Sequence, residues 1–518
     1  MIEASHSISR KKTTWWGLFF QYASIAVSLL SGFIVLPVSL RFIPLDLYGA
    51  WLASGNILVW LTIVDPGLGA IVQQRVGEAY GGKNFERLTS LAWSGIAING
   101  ILVLVIVSAG LVLANYVPGL LNLSPDLDAS LVKTAFVWAV VGTGLSFLAF
   151  SVANVNIGLQ ATVGIGFPPL VIFMASIALT IIFLYMGFGL LAAPVANVFR
   201  GGGLLVWNLG YFVWRFRKEG LSLKPSLQEV PGLIKLSLYT FVSSGVGTLS
   251  NNMDSFLVSR VLGPMQVPVL RATRTTIDSF RPLVERPFVA LMPALSHVSG
   301  SGEFEKARTI LLRLTVLSIW AVVMIGGGFL MLNDRLVHLW VGSNLFAGQP
   351  VNAVLCLGLA GGAVTSGLLN VCFSMGAIER VSRIKTAQGI FQIALMGLLG
   401  WRFGMIGIVA APLIATACIG GWMIPRLFGK LMNFGRAEYI GLFRESFYAI
   451  AAAGVASFSV AILSPANWLN LALCAILFTS SFVLTLAVLS NGFRREIREG
   501  WRLVVARASR YGLARMPT

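Results

Sequence analysis

Residues 266–297 read QVPVLRATRTTIDSFRPLVERPFVALMPALSH and carry Arg271, Arg274, Asp278, Arg281, Glu285 and Arg286 in a chain that otherwise avoids charge. The first five stand three, four, three and four residues apart, so on a helix they form one stripe. Within it Arg274 neighbours Asp278, Asp278 neighbours Arg281, and Arg281 neighbours Glu285. Hydropathy alone would not make this segment a membrane helix. Whether it spans decides the fold.

The 518 residues are 56% hydrophobic and 11% charged, against about 25% charged in soluble domains. That composition is of a polytopic membrane protein. A net charge of +18 would point a soluble protein toward nucleic acid. Here the basic residues fall in short loops between apolar spans, as cytoplasmic loops beside an anionic leaflet do, so membrane lipids are the expected partners and nucleic acid is not. Cys356, Cys372, Cys418 and Cys474 lie inside apolar runs without metal or redox spacing and read as packed thiols. His6, His297 and His338 are scattered, so neither a metal centre nor a cofactor is expected. Arg10, Lys11 and Lys12 precede an apolar run to Leu40. This run is too long for a signal-peptide core and has no small-residue cleavage site, which makes it an uncleaved first helix.

About 20 apolar residues cross the hydrocarbon core. On that measure the sequence predicts helices near 15–40, 49–72, 89–115, 131–158, 166–186 and 189–214. After a charged segment, 215–235, come 236–259, the striped 266–297, 308–333, 350–378, 384–401, 404–428, 445–464 and 468–491. Counting the striped segment gives fourteen spans with short connections. The positive-inside rule tests that count. With the N-terminus inside, the basic clusters in 10–12, 75–87, 215–235, 306–313, 380–385, 426–444 and 494–515 are all cytoplasmic. Outside loops hold only Arg41, Arg260, Arg335 and Arg402. Were 266–297 to stay on one surface, every later basic loop would flip outward. The striped segment therefore spans.

A charge in contact with lipid costs about 2.5–3.5 kcal/mol on insertion scales, so the stripe must face the bundle interior or a wet cavity. Either its charges neutralise one another to brace a helix, or they line a site. Arg271 and Arg286 add positive charge beyond the pairs. Pro282 and Pro287 should bend the helix, as suits the wall of a cavity that changes shape.

The chain also repeats itself. SLRFIPL (39–45) matches VSRVLGP (258–264), KNFER (83–87) matches GEFEK (302–306), NVNIGLQA (154–161) matches NVCFSMGA (370–377), and GLLAAPVANV (189–198) matches GIVAAPLIAT (407–416). All four offsets lie between 216 and 219 residues. A repeat of six helices enters the membrane twice in the same direction, so it is parallel and leaves a central site between halves. The expected organisation is a cytoplasmic N-terminus (1–14), an N-lobe (15–214), a cytoplasmic linker (215–235) with Pro225 and Pro231, and a C-lobe (236–430). Two helices outside the repeat (445–491) and a basic cytoplasmic tail (492–518) follow. The fold class is an all-α polytopic membrane protein: two parallel six-helix lobes plus two C-terminal helices.

These motifs carry a resemblance. LPVSLRFIPLDLYGAW and LTIVDPGLGAIVQQRVGEAYGGKNFERL in the first lobe, with NNMDSFLVSRVLGP, PFVALMPALSHVSGSGEFEKA and GMIGIVAAPLIATA in the second, resemble the Wzx-like polysaccharide flippases. That family belongs to the multidrug/oligosaccharidyl-lipid/polysaccharide exporter superfamily. The likeness spans about 15–490. It implies an undecaprenyl-diphosphate-linked oligosaccharide moved from the inner to the outer leaflet of a bacterial inner membrane. It also implies lobes rocking between inward- and outward-open states, with the polysaccharide polymerase and export machinery as candidate partners.

The residues fit such a cargo on their own terms. A diphosphate headgroup needs cations in a solvated cavity, and guanidinium binds phosphate bidentately. Arg271, Arg274 and Arg281 are the candidates from the second lobe. Arg200, followed by Gly201, Gly202 and Gly203, is the candidate from the first, with a snorkelling or paired arginine as the alternative. Asp65, Asp254 and Asp278 could couple transport to an ion, or serve as an ion pair or as a cap at a helix break. Asp65 precedes Pro66-Gly67, an expected interruption of its helix. The rival class is a membrane glycosyltransferase or polymerase, supported only by Asp126-Leu127-Asp128 in a short outside loop. No loop is large enough to hold an acceptor, so an enzyme is not expected. Within transport, a peptidoglycan-precursor flippase and a drug or cation antiporter are the alternatives.

Overall fold

Most helices end where glycine, proline or asparagine interrupts the apolar pattern. The computed structural model describes residues 10–64, 67–123, 127–159, 162–301, 304–461, 463 and 466–510. In chain order the helices are α1 (Arg10–Phe42), α2 (Leu45–Leu61), α3 (Leu68–Gly81), α4 (Phe85–Leu113), the single turn α5 (Val117–Leu120) and α6 (Ala129–Gly158). Next come α7 (Thr162–Tyr185), α8 (Ala192–Lys218), α9 (Val230–Asn251), α10 (Asp254–Leu262), α11 (Gln266–Ser301) and α12 (Phe304–Val341). The last are α13 (Gln349–Ser374), α14 (Ile378–Ala415), α15 (Gly421–Leu431), α16 (Arg436–Ala461), α17 (Trp468–Leu489) and α18 (Asn491–Arg510). There is no strand among the described residues.

Nine described segments are long and apolar enough to cross a membrane. One of them, Ile378–Leu431, reverses at Gly404, where φ 62° and ψ −136° leave the helical region. A Cβ on Gly407 would lie 2.0 Å from the carbonyl oxygen of Leu399, so the two arms of this hairpin touch backbone to backbone. Four further segments fall outside that criterion: the broken pairs α2–α3 and α9–α10, and the more polar α11 and α16. The striped segment forms one continuous helix of 36 residues through Pro282 and Pro287, roughly 54 Å at helical rise. The hydrocarbon core is about 30 Å thick, so α11 is long enough to span.

The expected interruption falls between α2 and α3. α2 stops at Leu61, a 3-10 turn covers Thr62–Val64, and α3 restarts behind Gly67 at φ 82°. The break between α9 and α10 divides a segment that the sequence reads as one helix, 236–259. The four repeat pairs fall at matching helix boundaries: the ends of α1 and α10, the starts of α4 and α12, the ends of α6 and α13, and the early turns of α8 and of the arm after Gly404.

The chain sorts into two compact units, Met1–Thr275 with Ser382–Ala415, and Thr276–Val381 with Thr416–Thr518. In the first, α6 packs on α8 through facing glycines: a Cβ on Gly201 would lie 2.7 Å from the Gly142 carbonyl oxygen. A core of Leu68, Val72, Leu88, Leu91, Phe212 and Phe216 joins α3, α4 and α8. The connection after α8 packs against that core through Leu221, with Arg215–Glu219 (2.6 Å) and Arg87–Glu229 (3.2 Å) as ion pairs. In the second unit Ala449, Ala452 and Ala456 of α16 present small residues at helical spacing to Phe478 and Phe482 of α17. Apolar side chains also point outward: Val206, Phe458 and Val488 are 75%, 74% and 74% exposed. In water such a surface would be an aggregation hazard, and against lipid it is the required one.

Candidate functional site

A helix that breaks inside a membrane must satisfy the backbone groups it releases. Between α9 and α10 the chain leaves the helix at Asn252 and Met253, and side chains of the same unit take up the freed groups. The indole Nε1 of Trp60 donates to the Asn252 carbonyl at 2.6 Å. The backbone N–H of Phe256 donates to Asn56 Oδ1 at 2.9 Å, and that of Ser255 to Asp254 Oδ1 at 2.8 Å. Gln392 Nε2 donates to the Ser250 carbonyl at 2.7 Å. The Trp60 and Phe256 rings meet edge to face at 4.8 Å. This break is a fixed structure.

It opens a cleft of about 90 Å³, walled by Asn56, Asn251, Asn252 and Asp254 on one side and by Arg271 and Arg274 of α11 on the other. Arg274 forms an ion pair with Asp254. Arg271 is exposed. Two guanidiniums against one carboxylate leave the cleft cationic, and neutral amides complete its wall. The volume suits several waters or one phosphate group. It does not suit a whole lipid-linked glycan, so a headgroup fragment is the largest guest it takes.

The structure thus brings Arg271, Arg274 and Asp254 together. It gives Asp254 one of the structural roles weighed for it, that of ion-pair partner; the N-cap of α10 is Met253, and Asp254 accepts the Ser255 N–H within the first turn. Arg281 and Asp278 lie on the part of α11 in the second unit, where Arg281 Nε contacts Glu285 Oε1 at 2.8 Å and Asp278 is half-buried. Arg200 lies on α8 with its guanidinium 4.5 Å from the centre of the Phe173 ring, a cation–π contact, and does not line the cleft. Asp65 lies outside the described residues, as does Asp126. Among the described residues no three His, Cys, Asp or Glu side chains gather as a metal site.

Asn56, Trp60 and Gln392 are site residues that the sequence reading passed over. Asn56 is the one amide in LDLYGAWLASGNILVWL, and a lone amide in an apolar span signals a backbone group to be satisfied. Gln392, the one amide in IFQIALMGLLG (390–400), carries the same signal, and Trp60 carries none.

The family described as polysaccharide biosynthesis protein matches residues 86–346. No curated protein sequence matches the chain. Among solved structures the chain is similar to the lipid II flippase MurJ in an inward closed conformation, at TM-score 0.69 and 16% identity, covering 93% of this chain and 99% of that one. A eukaryotic MATE transporter aligns at TM-score 0.57 and 15% identity over 85% and 99% of the two chains. The Vibrio cholerae MATE transporter VcmN in its bent form aligns at TM-score 0.55 and 15% identity over 83% and 98%.

Proposed function

The chain belongs to the polysaccharide biosynthesis protein family, and on that premise we propose that it is a flippase for undecaprenyl-diphosphate-linked oligosaccharide. It carries this cargo from the inner to the outer leaflet of a bacterial inner membrane, with both termini cytoplasmic, by alternating access. The observation that supports this most is the cationic cleft at the α9–α10 break, walled by Arg271 and Arg274. A diphosphate headgroup crossing a hydrocarbon layer needs its charge matched on the way, and two guanidiniums beside neutral amides match it with bidentate hydrogen bonds. Arg281 and Arg200 are further cations on the cargo's path. Asp254, already held by Arg274, and Asp65 and Asp278 are the candidates for ion coupling. The polymerase and export machinery that receive the glycan are the expected partners.

The test is complementation in a cell lacking its own oligosaccharide flippase. The wild-type chain is expected to restore surface glycan, while Arg271→Ala, whose side chain is exposed, should express normally and let lipid-linked oligosaccharide accumulate at the inner leaflet. Full export from a well-expressed Arg271→Ala/Arg281→Ala variant would remove the diphosphate-binding role. The similarity to MurJ favours one second reading, a lipid-linked peptidoglycan precursor as cargo. Rescue of cells depleted of MurJ, without rescue of glycan export, would select it.

A further inference from the structure

α18 sorts its charges by face. Glu496 and Glu499 both turn to Arg313 of α12, at 2.6 and 2.7 Å. Arg494, Arg495, Arg498 and Arg502 are exposed, with Ile497 exposed among them. Arg494 also donates to the neutral amide oxygen of Asn491, which leaves its charge uncompensated. With both acids turned to Arg313, the exposed charged residues of α18 among those described are all arginines.

The attitude of this helix is set by its first turns. α17 ends at Leu489 and α18 begins at Asn491, so no loop separates it from a membrane span. Between them the buried Ser490 donates its hydroxyl to Glu445 Oε2 at 2.7 Å and accepts the N–H of Phe493 at 3.0 Å. The Phe493 ring meets Trp320 of α12 at 5.0 Å and 89°. These contacts tie the first turn of α18 to α12 and α16 within one residue of the end of α17.

We infer that the outward face of α18 is a docking surface for anionic phospholipid headgroups at the leaflet where α17 ends. The occupant follows from charge complementarity: guanidiniums pair bidentately with lipid phosphate, an anionic leaflet attracts each basic residue near it, and Ile497, exposed among the arginines, enters the headgroup boundary. The inference stands whatever cargo the protein carries.

The test uses the full chain in nanodiscs of phosphatidylcholine alone or mixed with phosphatidylglycerol, read by hydrogen exchange of the amides in 491–502. Exchange is expected to slow by at least about fivefold with phosphatidylglycerol, and the difference to shrink at high salt. The variant Arg494→Gln/Arg495→Gln/Arg498→Gln/Arg502→Gln should lose the difference, while the matching four-fold Arg→Lys variant keeps it. Equal exchange in the two lipids would overturn the inference, as would an undiminished difference in the Gln variant. Slowing by a soluble polyglutamate peptide as strong as that by phosphatidylglycerol would also overturn it, and would mark a protein-docking face instead.

Discussion

Trp60 reaches from α2 to the backbone carbonyl of Asn252 at 2.6 Å, so the break that shapes the cleft is held by a residue 192 positions away in sequence. Trp60→Phe keeps an aromatic ring against Phe256 and removes the donor together with the smaller ring of the indole. The carbonyl it leaves unpaired costs about 1–3 kcal/mol. Detergent-purified Trp60→Phe is expected to melt at a lower temperature than wild type, and exchange at the Asn252–Ser255 amides to quicken. Unchanged melting and exchange would mean that the break holds itself.

Arg274 and Asp254 separate bracing from binding. Their side chains are 29% and 11% exposed, so the pair is partly wet. Arg274→Met alone should destabilise by about 2–3 kcal/mol, below the roughly 3–5 kcal/mol of a fully buried pair. Adding Asp254→Asn removes the stranded charge and should restore most of the melting temperature. Glycan export should stay impaired in the double variant. If export returns together with stability, Arg274 only braces α11 against α10 and touches no cargo.

That 266–297 is one helix was legible because its charges repeat at spacings of three and four, and its crossing rests on the loop charges: the clusters at 306–313, 380–385 and 426–444 share the surface of those at 10–12, 75–87 and 215–235 only if it spans. The interruption between α2 and α3 was legible because the sequence there carries a proline, which lacks a donor, and Gly67, which admits φ 82°. The break at Asn252 was not. Asn and Met each tolerate a helix interior, and most of what stabilises the break comes from α2 and α14, elements far away in sequence. The division of the chain at Thr275, inside a continuous helix, was hidden for a related reason. The stripe of charges repeats evenly through that point, while the change lies in which neighbours α11 meets.

Glu438, near the start of α16, gives a pH prediction away from the membrane core. Its own backbone N–H, helped by that of Gly435 (2.8 Å) and by Arg308, holds its carboxyl below the ordinary 4.5. A depressed carboxyl stabilises the folded state above its ordinary pKa, and the contribution disappears as pH falls through the depressed value. Glu438→Gln should therefore melt below wild type at neutral pH, and the gap should close as the pH drops below 4.5. A gap independent of pH would assign the effect to packing.

Gly201 and Gly202 sit side by side after Arg200, and the structure treats them oppositely. A Cβ on Gly201 would stand 2.7 Å from the Gly142 carbonyl oxygen and 2.9 Å from Leu145 Cβ, whereas one on Gly202 meets nothing within 4 Å. Backbone cannot yield as a flexible side chain can, so Gly201→Ala must push α8 away from α6, at an overpacking cost of about 1–3 kcal/mol. Gly202→Ala gains helix propensity of up to about 1 kcal/mol and should melt at or above wild type. Because the pushed helix carries Arg200 on its Phe173 ring, Gly201→Ala should also lower export per molecule of folded protein. Equal export by the two variants, normalised to folded protein, would show that the placing of Arg200 is not critical to transport.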